Sequence, residues 1–93
     1  RTVLDSGTYT VTREGAAMEL PKKEFELLYK LLSYPGQIFT RNQLLDDIWG
    51  FDSESGEDTV KTHISRLRNK LRAIEEFRII TIKGLGYKAE VLE

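Results

Sequence analysis

The sequence predicts an α+β domain in which a small antiparallel sheet leads into three helices and a closing β-hairpin. Three observations carry this expectation. Residues of high strand propensity alternate with period two across the first twenty positions. Apolar residues then recur at helical spacing in three segments reaching Ile74. The chain ends in two alternating runs around Gly84-Leu85-Gly86. At 93 residues, a single domain with one small core is expected over 1–93.

Each element follows from its local pattern. Arg1-Thr2-Val3 is strand-like, and Tyr9 and Val11 alternate with Thr8, Thr10 and Thr12. Arg13-Glu14-Gly15 signals a turn, after which Ala16, Met18 and Leu20 alternate with Ala17 and Glu19. Such a set forms an antiparallel sheet with one wet face. The first helix is expected from about Lys22 to Tyr34. Phe25, Leu28 and Leu32 fall at i, i+3 and i+7, Leu27 and Leu31 widen the stripe, and Tyr34-Pro35-Gly36 stops it. The second helix starts at Thr40, which with Gln43 has capping-box spacing. Leu44, Leu45, Ile48 and Trp49 form its apolar face and Gly50 closes it. A polar connection, Phe51 to Asp58, precedes the third helix, expected from about Asp58 to Ile74.

At about 100° per residue, Val60, Ile64, Leu67, Leu71 and Ile74 share a narrow arc that must face the core. Lys61, Thr62, Ser65, Arg66, Asn69 and Arg72 then project outward. In the hairpin, Ile80 and Ile82 alternate with Thr81 and Lys83. Tyr87, Ala89 and Val91 return on one face, opposite Lys88 and Glu90. Both glycines of the tip are expected to supply positive φ.

Composition narrows the function. Apolar residues at 40% and charged residues at 31% suit a folded soluble domain. No apolar run approaches the roughly 20 residues of a membrane span, and no signal peptide opens the chain. Without a starting Met, the sequence is expected to be a piece of a longer protein. The lack of cysteine excludes disulfides and thiolate metal sites and is compatible with a reducing compartment. With one histidine and no carboxylate pair placed across a pocket, no nucleophile–base constellation can be built. Asp46 and Asp47 are adjacent on a helix and so point apart. Gly84-Leu85-Gly86 lacks the third glycine and the strand-to-helix setting of a nucleotide loop. No enzyme, cofactor or metal is expected.

The net charge of −1 is uninformative, but its distribution is not. Residues 42–58 hold six acidic side chains and no Lys or Arg, whereas 61–72 hold Lys61, Arg66, Arg68, Lys70 and Arg72 and no acid. A local basic stripe is an electrostatic footprint for phosphate. It also reads as a solvated helix face beside an acidic loop. A capped helix, a connection, a longer basic helix and a lysine-tipped hairpin together have the physics of a helix-turn-helix with an added wing. The helix fits a major groove and the hairpin can place a cation in the neighbouring minor groove.

Four segments in order resemble the C-terminal winged-helix effector domain of OmpR/PhoB-type bacterial response regulators. They are Lys23-Glu24-Phe25-Glu26-Leu27-Leu28, Thr40-Arg41-x-Gln43-Leu44-Leu45 ending in Ile48-Trp49-Gly50, Thr59-Val60-x-x-His63-Ile64-Ser65-Arg66-Leu67-Arg68-x-Lys70-Leu71, and Gly84-x-Gly86-Tyr87. The resemblance implies a winged helix-turn-helix with an N-terminal antiparallel sheet, three helices and a C-terminal β-hairpin wing at 78–91. It implies double-stranded DNA as partner, bound in tandem on direct repeats, and a phosphorylated N-terminal receiver domain outside this chain. It also implies a cytoplasmic bacterial setting and a monomeric isolated domain. It suggests base contacts from Lys61, Thr62, Ser65 and Arg66, phosphate contacts from Thr59, His63, Arg68, Thr81 and Trp49, and a minor-groove contact from Lys83. The loop 51–58 is suggested to meet RNA polymerase. Lys70 and Arg72 are expected to supply general electrostatics or intramolecular pairs.

Departures from the family pattern matter. Asp58 stands where Arg is usual, so no phosphate contact is expected there, and a capping role is. Lys61 and Thr62 replace the common Asp and Val, which implies a different DNA sequence preference. Lys83 replaces the usual Arg and lacks its planar fork. The competing expectation is a winged-helix protein-interaction module, which ordinarily lacks both the basic stripe and the wing cation.

Overall fold

The computed structural model describes residues 2–50, 56–72 and 74–92, with Glu57 described by its backbone alone. Strands β1 (Thr2–Asp5), β2 (Thr10–Arg13) and β3 (Ala16–Glu19) form an antiparallel sheet in the order β1-β2-β3. The two-residue Glu14-Gly15 connection pairs Arg13 with Ala16, the geometry of a tight hairpin. Val11 and Leu20 enter the core from this sheet, and Met18 packs at its margin. Tyr9 is a turn residue rather than a strand residue, and its ring meets Phe25 edge-on with centroids 5.6 Å apart.

Helix α1 (Lys22–Ser33) buries Phe25, Leu27, Leu28 and Leu31. The deepest line of the stripe therefore runs through Leu31, and Leu32 is only half-buried. A two-residue strand, β4 (Phe39–Thr40), leads into α2 (Arg41–Leu44), which continues as a single π-helical turn, Leu45–Trp49. The expected capping box is present: Gln43 N–H donates to Thr40 Oγ1 at 3.1 Å, and Thr40 N–H donates to Gln43 Oε1 at 2.8 Å. Gly50 N–H donates to the Leu45 and Asp46 carbonyls and ends the element.

Helix α3 spans Glu57–Lys70. Val60, Ile64, Leu67 and Leu71 are buried as the spacing required, while Ile74 lies beyond the helix and packs on the core only in part. Gly56 occupies the N-cap with no side-chain capping bond, so Asp58 does not cap the helix. It sits in the first turn, where a negative charge favours the macrodipole.

Strands β5 (Phe77–Ile82) and β6 (Gly86–Val91) form the C-terminal hairpin, and β4 joins its far side to give the order β4-β6-β5. The inward face of β5 carries Phe77 and Ile79, not Ile80 and Ile82, which are half-buried on the other face. Two adjacent isoleucines leave the parity of the strand open in the sequence, and the pairing of Ile79 with Ala89 settles it. Tyr87 and Ala89 are buried, but Val91 is exposed at the open end of the sheet.

The two tip glycines serve different ends. Gly84 takes φ of 75° in a turn closed by Leu85 N–H donating to the Ile82 carbonyl. Gly86 is not among the positive-φ residues; a Cβ there would lie 1.9 Å from the Phe39 carbonyl oxygen. It is glycine because β4 crosses directly against it. Gly86→Ala is expected to destabilise the domain by about 1–3 kcal/mol or more in urea unfolding.

Glu76 fastens the two sheets together. Its carboxylate accepts from the Thr2 hydroxyl at 2.6 Å, the Thr2 amide at 3.1 Å and Arg13 Nε at 3.2 Å. These bonds, led by the Thr2 hydroxyl, hold the carboxyl below its ordinary value of 4.5 against the opposing effect of desolvation. The unfolded chain thus takes up this proton at higher pH than the folded one. The stabilisation is present above the ordinary glutamate range and is lost as pH falls through and below it. The stability gap between the native protein and Glu76→Gln is expected to narrow in urea titrations run from neutral pH down to about pH 3.

Candidate nucleic-acid interface

The inward arc of α3 dictates its outward one. With Val60, Ile64 and Leu67 essentially inaccessible, Lys61, Thr62, Ser65, Arg66 and Asn69 are all exposed. These are the expected base-contacting residues Lys61, Thr62, Ser65 and Arg66, and they form one polar, cationic strip. Lys61, Arg66 and Arg72 have no ion-pair partner among the described residues. Lys83, at the wing tip, is exposed as well, next to the turn at Gly84.

The expected phosphate contacts fall into two groups. Thr59, His63 and Trp49 are half-buried and adjoin one another. His63 Nδ1 lies 2.8 Å from the Thr59 carbonyl oxygen, and its ring stands edge-on to Trp49 at 4.9 Å. A carbonyl only accepts, so Nδ1 carries the hydrogen and Nε2 is the nitrogen left for an external partner. Thr81 and Arg68 form the second group. Arg68 Nε and Nη2 donate to the Ile79 carbonyl at 3.2 and 2.9 Å, and Nη2 donates to Thr81 Oγ1 at 2.6 Å.

Sequence reasoning did not find two contributors. Lys23 Nζ donates to the Ile48 carbonyl at 2.7 Å and lies 5.9 Å from the centre of the Trp49 ring, so a cation from α1 borders the Trp49–His63 cluster. The Tyr87 ring supports Arg68, with Cζ 5.8 Å from its centre. Both contacts join residues far apart in sequence, which local periodicity does not report. The acidic connection lies outside the described residues over 51–55, as does the Glu57 side chain.

Lys70, one of the five stripe cations, is held by an ion pair at the margin of the helix. Its Nζ lies 2.7 Å from Oε1 of Glu24, a carboxylate only 2% exposed on α1. The bond ties the C-terminal end of α3 to α1 and removes Lys70 from the outward strip. A cleft of about 460 Å³ is bounded by Tyr9, Phe25, Tyr29 and Tyr34, and none of the expected contacts lines it. Among the described residues, no three His, Asp or Glu side chains gather as a metal site requires, and no helix is long and apolar enough to cross a membrane.

The pattern of the family described as Transcriptional regulatory protein, C terminal, matches residues 15–89. The chain belongs to this family. Heme response regulator HssR of Staphylococcus saprophyticus is 44% identical over 88 residues, which is 94% of this chain and 39% of that protein. The chain thus spans about two-fifths of the length of this curated relative. The DNA-binding domain of Bacillus subtilis CssR superposes with a TM-score of 0.85 at 29% identity, over 96% of this chain and 99% of that one. The Klebsiella pneumoniae RstA DNA-binding domain in complex with the RstA box gives 0.79 at 32% identity, over 96% and 90%. The fold is the winged helix of OmpR/PhoB-type response-regulator domains, a family of transcription regulators and not of enzymes.

Within this winged-helix domain, Lys70 has a structural task. Lys70→Ala leaves the Glu24 carboxylate without its charged partner and is expected to cost about 1.5–3 kcal/mol of stability in chemical unfolding. The salt dependence of duplex binding should stay unchanged, measured by fluorescence anisotropy.

Proposed function

We propose that this domain is the output module of a two-component response regulator and binds double-stranded DNA sequence-specifically to control transcription. Helix α3 enters the major groove, and the wing meets the adjacent minor groove. The observation that carries this reading is the single cationic face formed by Lys61, Thr62, Ser65 and Arg66, with every neighbouring apolar residue of α3 turned inward. Arg66 pairs bidentately with guanine, and the Thr62 methyl meets thymine. Thr59, His63, Thr81 and the Trp49 indole N–H serve phosphates, and Lys83 serves the minor groove or its rim. RstA, solved on its box, supports the reading by likeness.

The finer proposals rest on family membership. The domain is monomeric alone, and in the full-length cytoplasmic protein a receiver domain promotes tandem binding on direct repeats. The acidic connection 51–58, with Asp52, Glu54, Glu57 and Asp58, meets RNA polymerase.

Selection of bound duplexes from a random pool, followed by anisotropy titrations, tests the central reading. Affinity is expected to fall steeply with salt, with a log–log slope of about −0.9 per neutralised phosphate. Lys83→Ala should weaken selected and unrelated duplexes alike. Arg66→Ala should cost about 1–3 kcal/mol on the selected site and relax preference at one base pair. Absence of binding to any duplex at low salt would instead favour the protein-interaction module.

A further inference from the structure

We propose that Arg68 is a positioning residue that locks the wing to the reading helix, its guanidinium held by the hairpin rather than by a phosphate. One side chain from α3 engages both wing strands. Nε and Nη2 converge on the Ile79 carbonyl of β5, and Nη2 also reaches Thr81 Oγ1. The cation lies over the Tyr87 ring of β6, and Tyr87 is the cross-strand partner of Thr81. Among the described residues, no other polar side-chain contact joins α3 to the hairpin.

The position of these contacts gives them their consequence. β5 is an edge strand, and the support that β4 lends to β6 ends at Gly86. Beyond that point lies the tip, Lys83 to Leu85. Thr81, where Arg68 grips β5, is two residues from Lys83. The guanidinium therefore sets the spacing between the groove-facing strip of α3 and the wing cation. A wing fixed beforehand loses less conformational freedom when it meets a duplex. The acceptors are neutral, so Arg68 still adds its charge to the field of the interface. Thr81 accepts from Arg68 and keeps its hydroxyl hydrogen for a phosphate. Arginine suits the site because Nε adds a second bond to the Ile79 carbonyl while Nη2 serves both Ile79 and Thr81, whereas the shorter-reaching head of lysine offers one nitrogen and no delocalised group to set against Tyr87.

The lock affects DNA binding only if α3 and Lys83 meet one duplex together, so it rests on the reading proposed above. The test uses Arg68→Ala, Arg68→Lys, Lys83→Ala and the Arg68→Ala/Lys83→Ala double variant. It combines duplex anisotropy with 15N relaxation of the free domain. Arg68→Ala and Arg68→Lys should both weaken binding, each by about tenfold, as should Lys83→Ala. The double variant should be little weaker than either single one. In the free domain, both Arg68 variants should raise the fast mobility of the Lys83–Leu85 amides. Arg68→Gln replaces Arg68→Ala in every comparison if the alanine variant melts at the working temperature.

Retention of affinity by Arg68→Lys, multiplied losses in the double variant, or a wing as rigid without Arg68 as with it would overturn the proposal. The first two results would mark a phosphate ligand instead. If Lys83→Ala binds like the native protein, the minor-groove reading fails. The relaxation comparison, made without DNA, then decides the lock by itself.

Discussion

The burial of one arc of α3 is the constraint on which the rest depends. Val60, Ile64, Leu67 and Leu71 supply the apolar surface that α1, α2 and the C-terminal sheet close upon. A helix committed to that contact cannot rotate without exposing leucine and isoleucine to water, at roughly 1.5–3 kcal/mol for each fully buried side chain. The orientation of Lys61, Thr62, Ser65 and Arg66 is therefore set by hydrophobic burial. Interactions among the polar residues themselves are not needed to aim them. A rigid cationic face follows from a rigid apolar one.

Three smaller devices turn that oriented helix into a bipartite surface. The Glu24–Lys70 bond pins the end of α3 to α1. The pairing of β4 against Gly86 holds the hairpin beside the helices just below its tip, because no side chain separates the two backbones. Arg68 then spans from α3 to both hairpin strands. Each device uses a residue type for a reason that substitution would expose: a short charged bond at a buried carboxylate, a missing Cβ, a planar fork. The Trp49–His63 contact adds a fixed platform at the opposite edge of the strip.

Much of this was legible in the chain because the governing interactions are local or periodic. The Thr40–Gln43 capping box needs only residues three apart, and the arc of α3 needs only the helical repeat. What the sequence concealed is non-local or depends on parity. β4 is two residues long and is a strand only because β6 lies beside it. Ile79 and Ile80 are equally apolar, so alternation alone does not say which one faces inward. Gly86 looked like a turn glycine, yet it answers to Phe39, which is 47 positions away. Arg68 looked like a solvated or phosphate-bound cation because nothing in the helix announces a carbonyl on another element. Lys70 and Asp58 show that charge on a helix does not reveal its partner, since one is bound to α1 and the other only favours the macrodipole.

Whether the outward face of α3 and the wing meet a duplex together is decided by titrating the 15N-labelled domain with a selected duplex and following each amide in turn. Shift changes are expected to concentrate on 61–69 of α3 and on 81–84 of the wing, while β1, β2 and β3 remain largely unmoved. Changes centred on the N-terminal sheet or on the Tyr29–Tyr34 cleft, with α3 silent, would contradict that joint contact.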